Sequence, residues 1–153
     1  MSITPGIRLE YVRLEESHID AIMEIEKEAY PEPWTTGMFR DEMRSKRSYF
    51  YVAFLDGELV GYSGFWLVLD EAHITSVTVA ANCRGAGYGR EQLMHLLGVG
   101  EEKDVRSYTL EVRESNVSAR KLYESAGFYP VSLRKGYYAS NHEDAVVMQK
   151  DVS

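Results

Sequence analysis

Cys83-Arg84-Gly85-Ala86-Gly87-Tyr88-Gly89-Arg90 sets three glycines and two arginines between an apolar strand-like run and an apolar helix-like run. Glycine takes up positive φ and lets a ligand approach the main chain closely. A loop of this composition that opens a helix presents unpaired N–H groups and the positive end of the helix dipole. Phosphate or pyrophosphate suits such a nest, so the stretch points to a nucleotide-like cofactor. A glycine-rich turn also serves as a plain connection, and its flanks must discriminate.

Upstream, His73–Ala80 reads as a strand with Ile74, Val77 and Val79 among its apolar residues. Downstream, Leu93, Leu96 and Leu97 mark a helix that ends at Gly98-Val99-Gly100. Beyond it come a strand at Tyr108–Arg113, a helix over Asn116–Ala126 stopped by Gly127, and two closing strands, Phe128–Lys135 and Asp144–Lys150. Toward the N-terminus, Tyr49–Leu55 and Glu58–Leu69 form a hairpin across Asp56-Gly57. A short helix over Trp34–Lys46 places Met38, Phe39 and Met43 on one face. Before it, Ser17 caps a helix whose Ile19, Ile22, Met23, Ile25 and Ala29 form an apolar stripe, closed by Pro31 and Pro33. Ile7–Leu14 alternates apolar and polar residues as a first strand. The order is α/β (α+β by some schemes), a mixed sheet with helices on both faces. It is not a run of βαβ units, which disfavours a dinucleotide-binding fold.

A chain of 153 residues suits a single domain spanning residues 1–153. With 44% apolar and 27% charged residues it has the make-up of an ordinary soluble globule. No apolar run approaches the ~20 residues that cross a bilayer. Met1–Gly6 lacks the basic and apolar regions of a secretory leader, and the one cysteine, Cys83, leaves no internal disulfide. The expectation is a cytoplasmic protein without a membrane partner. A net charge of −7 argues against direct nucleic-acid binding and suits a basic polypeptide partner, or simple solubility. His18, His73, His95 and His142 lack metal-ligand spacing, and three of the four read as ordinary surface or packing residues, so no metal is expected.

The second informative stretch is Leu110-Glu111-Val112-Arg113-Glu114-Ser115-Asn116, followed by Leu122-Tyr123-Glu124 and Gly127-Phe128. Alternation turns Glu111 away from Leu110 and Val112, toward solvent, a salt bridge or a cleft. Asn116 is a helix N-cap candidate. Tyr123 shares its helix face and fits the spacing of Ala119, Leu122 and Ala126, so core packing and a cleft position both remain open.

Together these residues resemble the GNAT acyltransferases. Arg84-Gly85-Ala86-Gly87-Tyr88-Gly89 matches their Q/R-x-x-G-x-G/A signature, which cradles the pyrophosphate of acetyl-CoA. The Glu111 and Tyr123 stretches, with Pro33-Trp34-Thr35, Phe39, Asp70–His73, Gly136-Tyr137-Tyr138 and Glu143–Ala145, look like the RimI branch. That branch acetylates the α-amino group of ribosomal-protein N-termini. The resemblance runs from about residue 8 to residue 150. It implies a mostly antiparallel sheet of about seven strands, about four helices, and a splayed parallel pair formed by His73–Ala80 and Tyr108–Arg113. Main-chain groups of Val77, Thr78 and Val79 meet the pantetheine arm, as in strand addition. Arg84, Gly85, Ala86, Gly87, Tyr88, Gly89 and Arg90 hold the pyrophosphate, Asn116 bonds the cofactor, and Tyr123 lies near the sulfur. Trp34, Tyr137 and Tyr138 wall the peptide, or pack under their loops.

An α-amino group, with a pKa of ~7.7–8.0, is mostly protonated at neutral pH. On this reading Glu111, its pKa raised, removes that proton directly or through water, and a strand amide near Val77 stabilises the oxyanion. Tyr123 protonates the departing thiolate. The implied substrate is a protein N-terminus, that of a ribosomal protein with terminal alanine, and the implied state is a monomer or weak dimer. An acetyltransferase for a small amine or a lysine side chain, and a non-catalytic acyl-CoA sensor, are the alternatives. The chain departs from the family pattern at Ser76, where asparagine is expected, at Ala80-Ala81-Asn82, and at Gly98-Val99-Gly100.

Overall fold

In the computed structural model, which describes residues 9–152, seven strands form one sheet. The elements are β1 (Glu10–Arg13), α1 (Ile19–Ala29), α2 (Thr36–Arg44), β2 (Ser48–Leu55), β3 (Glu58–Val68), β4 (Glu71–Val79), α3 (Tyr88–Glu102), β5 (Ser107–Arg113), α4 (Val117–Ser125), β6 (Tyr129–Arg134) and β7 (Ala145–Asp151). The sheet order is β1-β2-β3-β4-β5-β7-β6. Every neighbouring pair is antiparallel except β4–β5. This is the mixed, mostly antiparallel sheet with one parallel pair that the family resemblance implied. Ile7 and Arg8 of the expected first strand lie outside the described residues.

Local chemistry explains most of the elements. Asp56 and Gly57 both take positive φ, 50° and 82°, the geometry that matches the twist of a two-residue hairpin. Thr35 caps α2 by accepting the Met38 N–H at 3.2 Å. Ser17 is not the cap of the first helix. A short 3₁₀ turn over Glu16–His18 precedes α1, and Glu15 with His18 forms a capping box there.

Two cores lie against the sheet. On one side Ile19 and Ile22 of α1 and Phe39 of α2 pack against Phe50, Val52 and Tyr62. Each such side chain stabilises the fold by roughly 1.5–3 kcal/mol. The other core joins Leu93 and Leu96 of α3 and Tyr123 of α4 to Phe65, Ile74, Tyr108, Leu110, Val112 and Met148. The expected stripe on α1 missed Glu26, which is buried one turn below Ile22. Its carboxylate accepts from the Tyr62 hydroxyl at 2.7 Å and from the Trp34 N–H at 3.0 Å. A buried carboxylate so satisfied ties α1 to β3 and to the loop before α2.

Helix α3 does not stop at Gly98-Val99-Gly100 but continues to Glu102. Gly100 is needed where it stands: a Cβ there would lie 1.9 Å from the Tyr108 hydroxyl oxygen. Close contact between α3 and β5 therefore outweighs glycine's weak helix propensity.

Candidate active site

Strands β4 and β5 pair only at Glu71–Ser107, Ala72–Tyr108 and His73–Thr109, and then diverge. Just beyond, β4 carries a bulge at Thr75, since Phe65 pairs with Ile74 and Gly64 with Ser76. No turn residue or glycine on β4 marks that bulge in the sequence. The Ala80 N–H donates to Val60 of β3, so alternation turns the main-chain groups of Val77 and Val79 toward the open side. Thr78 points the other way. Its carbonyl accepts from Gln92 Nε2 at 2.8 Å, and its hydroxyl bonds Tyr30 at 2.7 Å and Ser76 at 2.8 Å. Thr78 thus organises the floor beside the opening, and Ser76 joins the same hydrogen-bonded group.

At the far end of β4 the glycine loop bends into α3. Gly85 and Gly87 have φ of 83° and 88°, which side-chain-bearing residues rarely adopt. Gly87 occupies the N-cap of α3, so the N–H groups of Tyr88, Gly89 and Arg90 have no intrahelical acceptor. The loop is exposed. Arg84 Nε donates to the Val79 carbonyl at 3.2 Å, and Arg90 donates to Ser125 of α4 at 2.8 Å. Both cations are held at the rim.

The opening widens into a cleft of about 660 Å³. Val77, Glu111, Asn116, Tyr123, Trp34, Tyr137 and Tyr138 all line it. Asn116 caps α4, its Oδ1 accepting from the Ala119 N–H at 3.1 Å, which leaves its amide NH₂ as the group able to meet a ligand. Tyr123 is 8% exposed and belongs to the core and the cleft together. Burial pushes its hydroxyl well above the ordinary phenol range. Trp34 rests on Phe39, with ring centroids 5.0 Å apart, and also lines the cleft. Tyr137 and Tyr138 meet edge to face on the loop between β6 and β7. Arg113 pins that loop, donating to Asn141 at 3.0 Å and Glu143 at 3.1 Å and lying 4.0 Å over the Tyr138 ring. The Ser140 N–H donates to Glu32, across from the other wall.

Glu111 departs from expectation. His73, one of four histidines assigned no role from the sequence, bonds its carboxylate through Nε2 at 2.8 Å. That bond holds the Glu111 carboxyl below the usual carboxylate range, outweighing the upward effect of burial. The expected raised pKa is absent because the partner, 38 residues away in sequence, comes from the neighbouring strand.

A sheet that splits beside a glycine-lipped helix N-terminus, with ionisable groups at the apex of the split, is the framework of an acyltransferase that draws on a nucleotide-bearing thioester. The chain belongs to the acetyltransferase (GNAT) family, whose model matches residues 19–128. It is 38% identical over 138 residues to a Bacillus subtilis (strain 168) protein provisionally named [ribosomal protein bS18]-alanine N-acetyltransferase, covering 90% of each chain. A Haemophilus influenzae protein named [ribosomal protein bS18]-alanine N-acetyltransferase is 34% identical over 140 residues, 89% of this chain and 94% of that one. The crystal structure of the ribosomal-protein-S18-alanine N-acetyltransferase from Escherichia coli superposes with a TM-score of 0.88 at 31% identity, covering 95% of both chains. Acetyl-CoA is the acetyl donor of the family, and the donor set here suits it. Unpaired amides at the start of α3 suit a diphosphate, and β4 beyond His73 is unpaired with β5 on the side of the cleft. Among the described residues no helix is long and apolar enough to cross a membrane.

Proposed function

We propose that this enzyme transfers the acetyl group of acetyl-CoA to the α-amino group of a protein N-terminus, that of a ribosomal protein beginning with alanine. The observation that carries the reading is the convergence of a carboxylate–imidazole pair and a buried phenol on one cleft at the split of β4 and β5. The shared names of relatives that match along nearly the whole chain support the substrate.

In this reading the amides of Gly85–Arg90, with Arg84 and Arg90, hold the diphosphate. The β4 edge at Val77 and Val79 aligns the pantetheine arm, and the Asn116 amide steadies it. Bound acetyl-CoA supplies a thioester carbonyl open to direct attack by an amine. Glu111 and His73, bonded to each other, form the basic side of the site, where the substrate ammonium loses its proton. Tyr123 stays protonated at neutral pH and gives its proton to the thiolate. Trp34, Tyr137 and Tyr138 wall the first residues of the peptide.

A thiol-release assay with acetyl-CoA and peptides differing only in their first two residues tests this, with mass spectrometry locating the acetyl group. The N-terminal peptide of the same organism's ribosomal protein bS18 is expected to be acetylated on its α-nitrogen. Acetylation confined to lysine side chains, or thiol release with no peptide, overturns the assignment.

A further inference from the structure

His73 and Glu111 differ in how far they reach the cleft. The His73 side chain is 45% exposed and the Glu111 side chain 16%, although both line the cavity. The imidazole is therefore the more accessible of the two groups. Its Nε2 is committed to Glu111, which makes Nε2–H the donor and leaves Nδ1 as the basic nitrogen. Nδ1 has no hydrogen-bond partner among the described residues. His73 is also the last β4 residue paired with β5, so the imidazole marks the apex of the split.

Resting on the acetyl-transfer reading above, we propose that His73 is the group that takes the proton from the substrate ammonium, and that Glu111 acts through it as a positioning residue. Chemistry favours this division. A free imidazole titrates at ~6.5 and a free glutamate at ~4.3, against ~7.7–8.0 for an α-ammonium, so the imidazole is the closer match for proton transfer. The His73 bond lowers the Glu111 carboxyl further still, which makes it a poorer base and a better counter-charge for an imidazolium. Of the two protons the substrate nitrogen loses on becoming an amide, one passes to His73 Nδ1 and then to solvent. The other replaces the proton that Tyr123 gives to the CoA thiolate. No oxidant or further reactant is needed.

The other titratable or charged groups around the pair come from several elements. Arg134 of β6 and Tyr137 act directly on Glu111. Arg113 of β5, Tyr138, Glu26 of α1, Tyr30 and Glu32 line the same cavity. None is bonded to His73.

The test is the pH dependence of kcat with both substrates saturating, for the wild type, His73→Gln and Glu111→Gln. The wild type is expected to lose activity on the acid side through a single limb. His73→Gln is expected to lower kcat by about 10²-fold or more and to remove that limb. Glu111→Gln keeps the limb but moves it to lower pH, because the imidazolium has lost its counter-charge. Added imidazole restores part of the activity of His73→Ala, which separates lost chemistry from lost folding. If Glu111→Gln removes the limb while His73→Gln only displaces it, or if His73→Gln works at the wild-type rate, the proposal is wrong. A wild-type enzyme that acetylates no peptide N-terminus sinks the parent reading instead.

Discussion

Tyr123 is held by two demands at once. Its ring packs in the core with Phe128, at a centroid distance of 5.7 Å, while the same residue lines the cleft. Burial disfavours the phenolate and raises the pKa, with Tyr30 and Tyr138 adding to the effect. A general acid must carry its proton to act, so a raised value keeps Tyr123 competent through neutral and mildly alkaline pH. The loss of kcat on the alkaline side should therefore lie above ~10, the ordinary phenol value. Tyr123→Phe should keep the packing and lower kcat by about 10²–10⁴-fold with the KM for acetyl-CoA unchanged. Steady-state kinetics from neutral to alkaline pH check both statements. An alkaline loss well below that value, or full turnover by the phenylalanine variant, removes Tyr123 from proton transfer.

Gly98 and Gly100 sit two residues apart in α3 and should respond in opposite ways to the same substitution. Nothing lies within 4 Å of a Cβ added at Gly98, so Gly98→Ala should gain helix propensity and stabilise by about 0.5–1 kcal/mol. At Gly100 the added carbon meets the buried Tyr108 at 1.9 Å, so Gly100→Ala should destabilise by about 1–3 kcal/mol. Urea unfolding measures both, and equal signs would refute the packing argument. The pair also locates the boundary of what sequence carries. Glycine at Gly85 and Gly87 announced the loop because local backbone geometry needs it. Gly98-Val99-Gly100 misled because its reason lies in another element, Tyr108 of β5. Glu111 was legible as a polar residue on an apolar strand. Its partner His73 was not, since parallel strands join residues far apart in the chain. The Thr75 bulge and the buried Glu26 likewise answer to neighbours across the fold.

Charge acts over the molecule as a whole. The chain carries −7, and among the described residues Glu26, Glu32 and Glu111 line the cleft against one lining arginine, Arg113. A cleft of one prevailing sign focuses the field and raises the encounter rate with an oppositely charged partner by about 10–10³-fold at low salt. A basic peptide should benefit and a neutral one should not. With a screening length of ~10 Å at 0.1 M, exposed charges lose most of their reach as salt rises, whereas the partly buried Glu111 keeps its local hold on His73. The effect should therefore appear in kcat/KM and leave kcat alone. The measurement compares two peptides that share an N-terminal alanine, one with several lysines or arginines behind it and one with serines. Between low salt and ~0.3 M, kcat/KM should fall several-fold for the basic peptide and stay level for the other. Parallel salt curves would mean that acidity serves solubility and that recognition is confined to the first residues in the cleft.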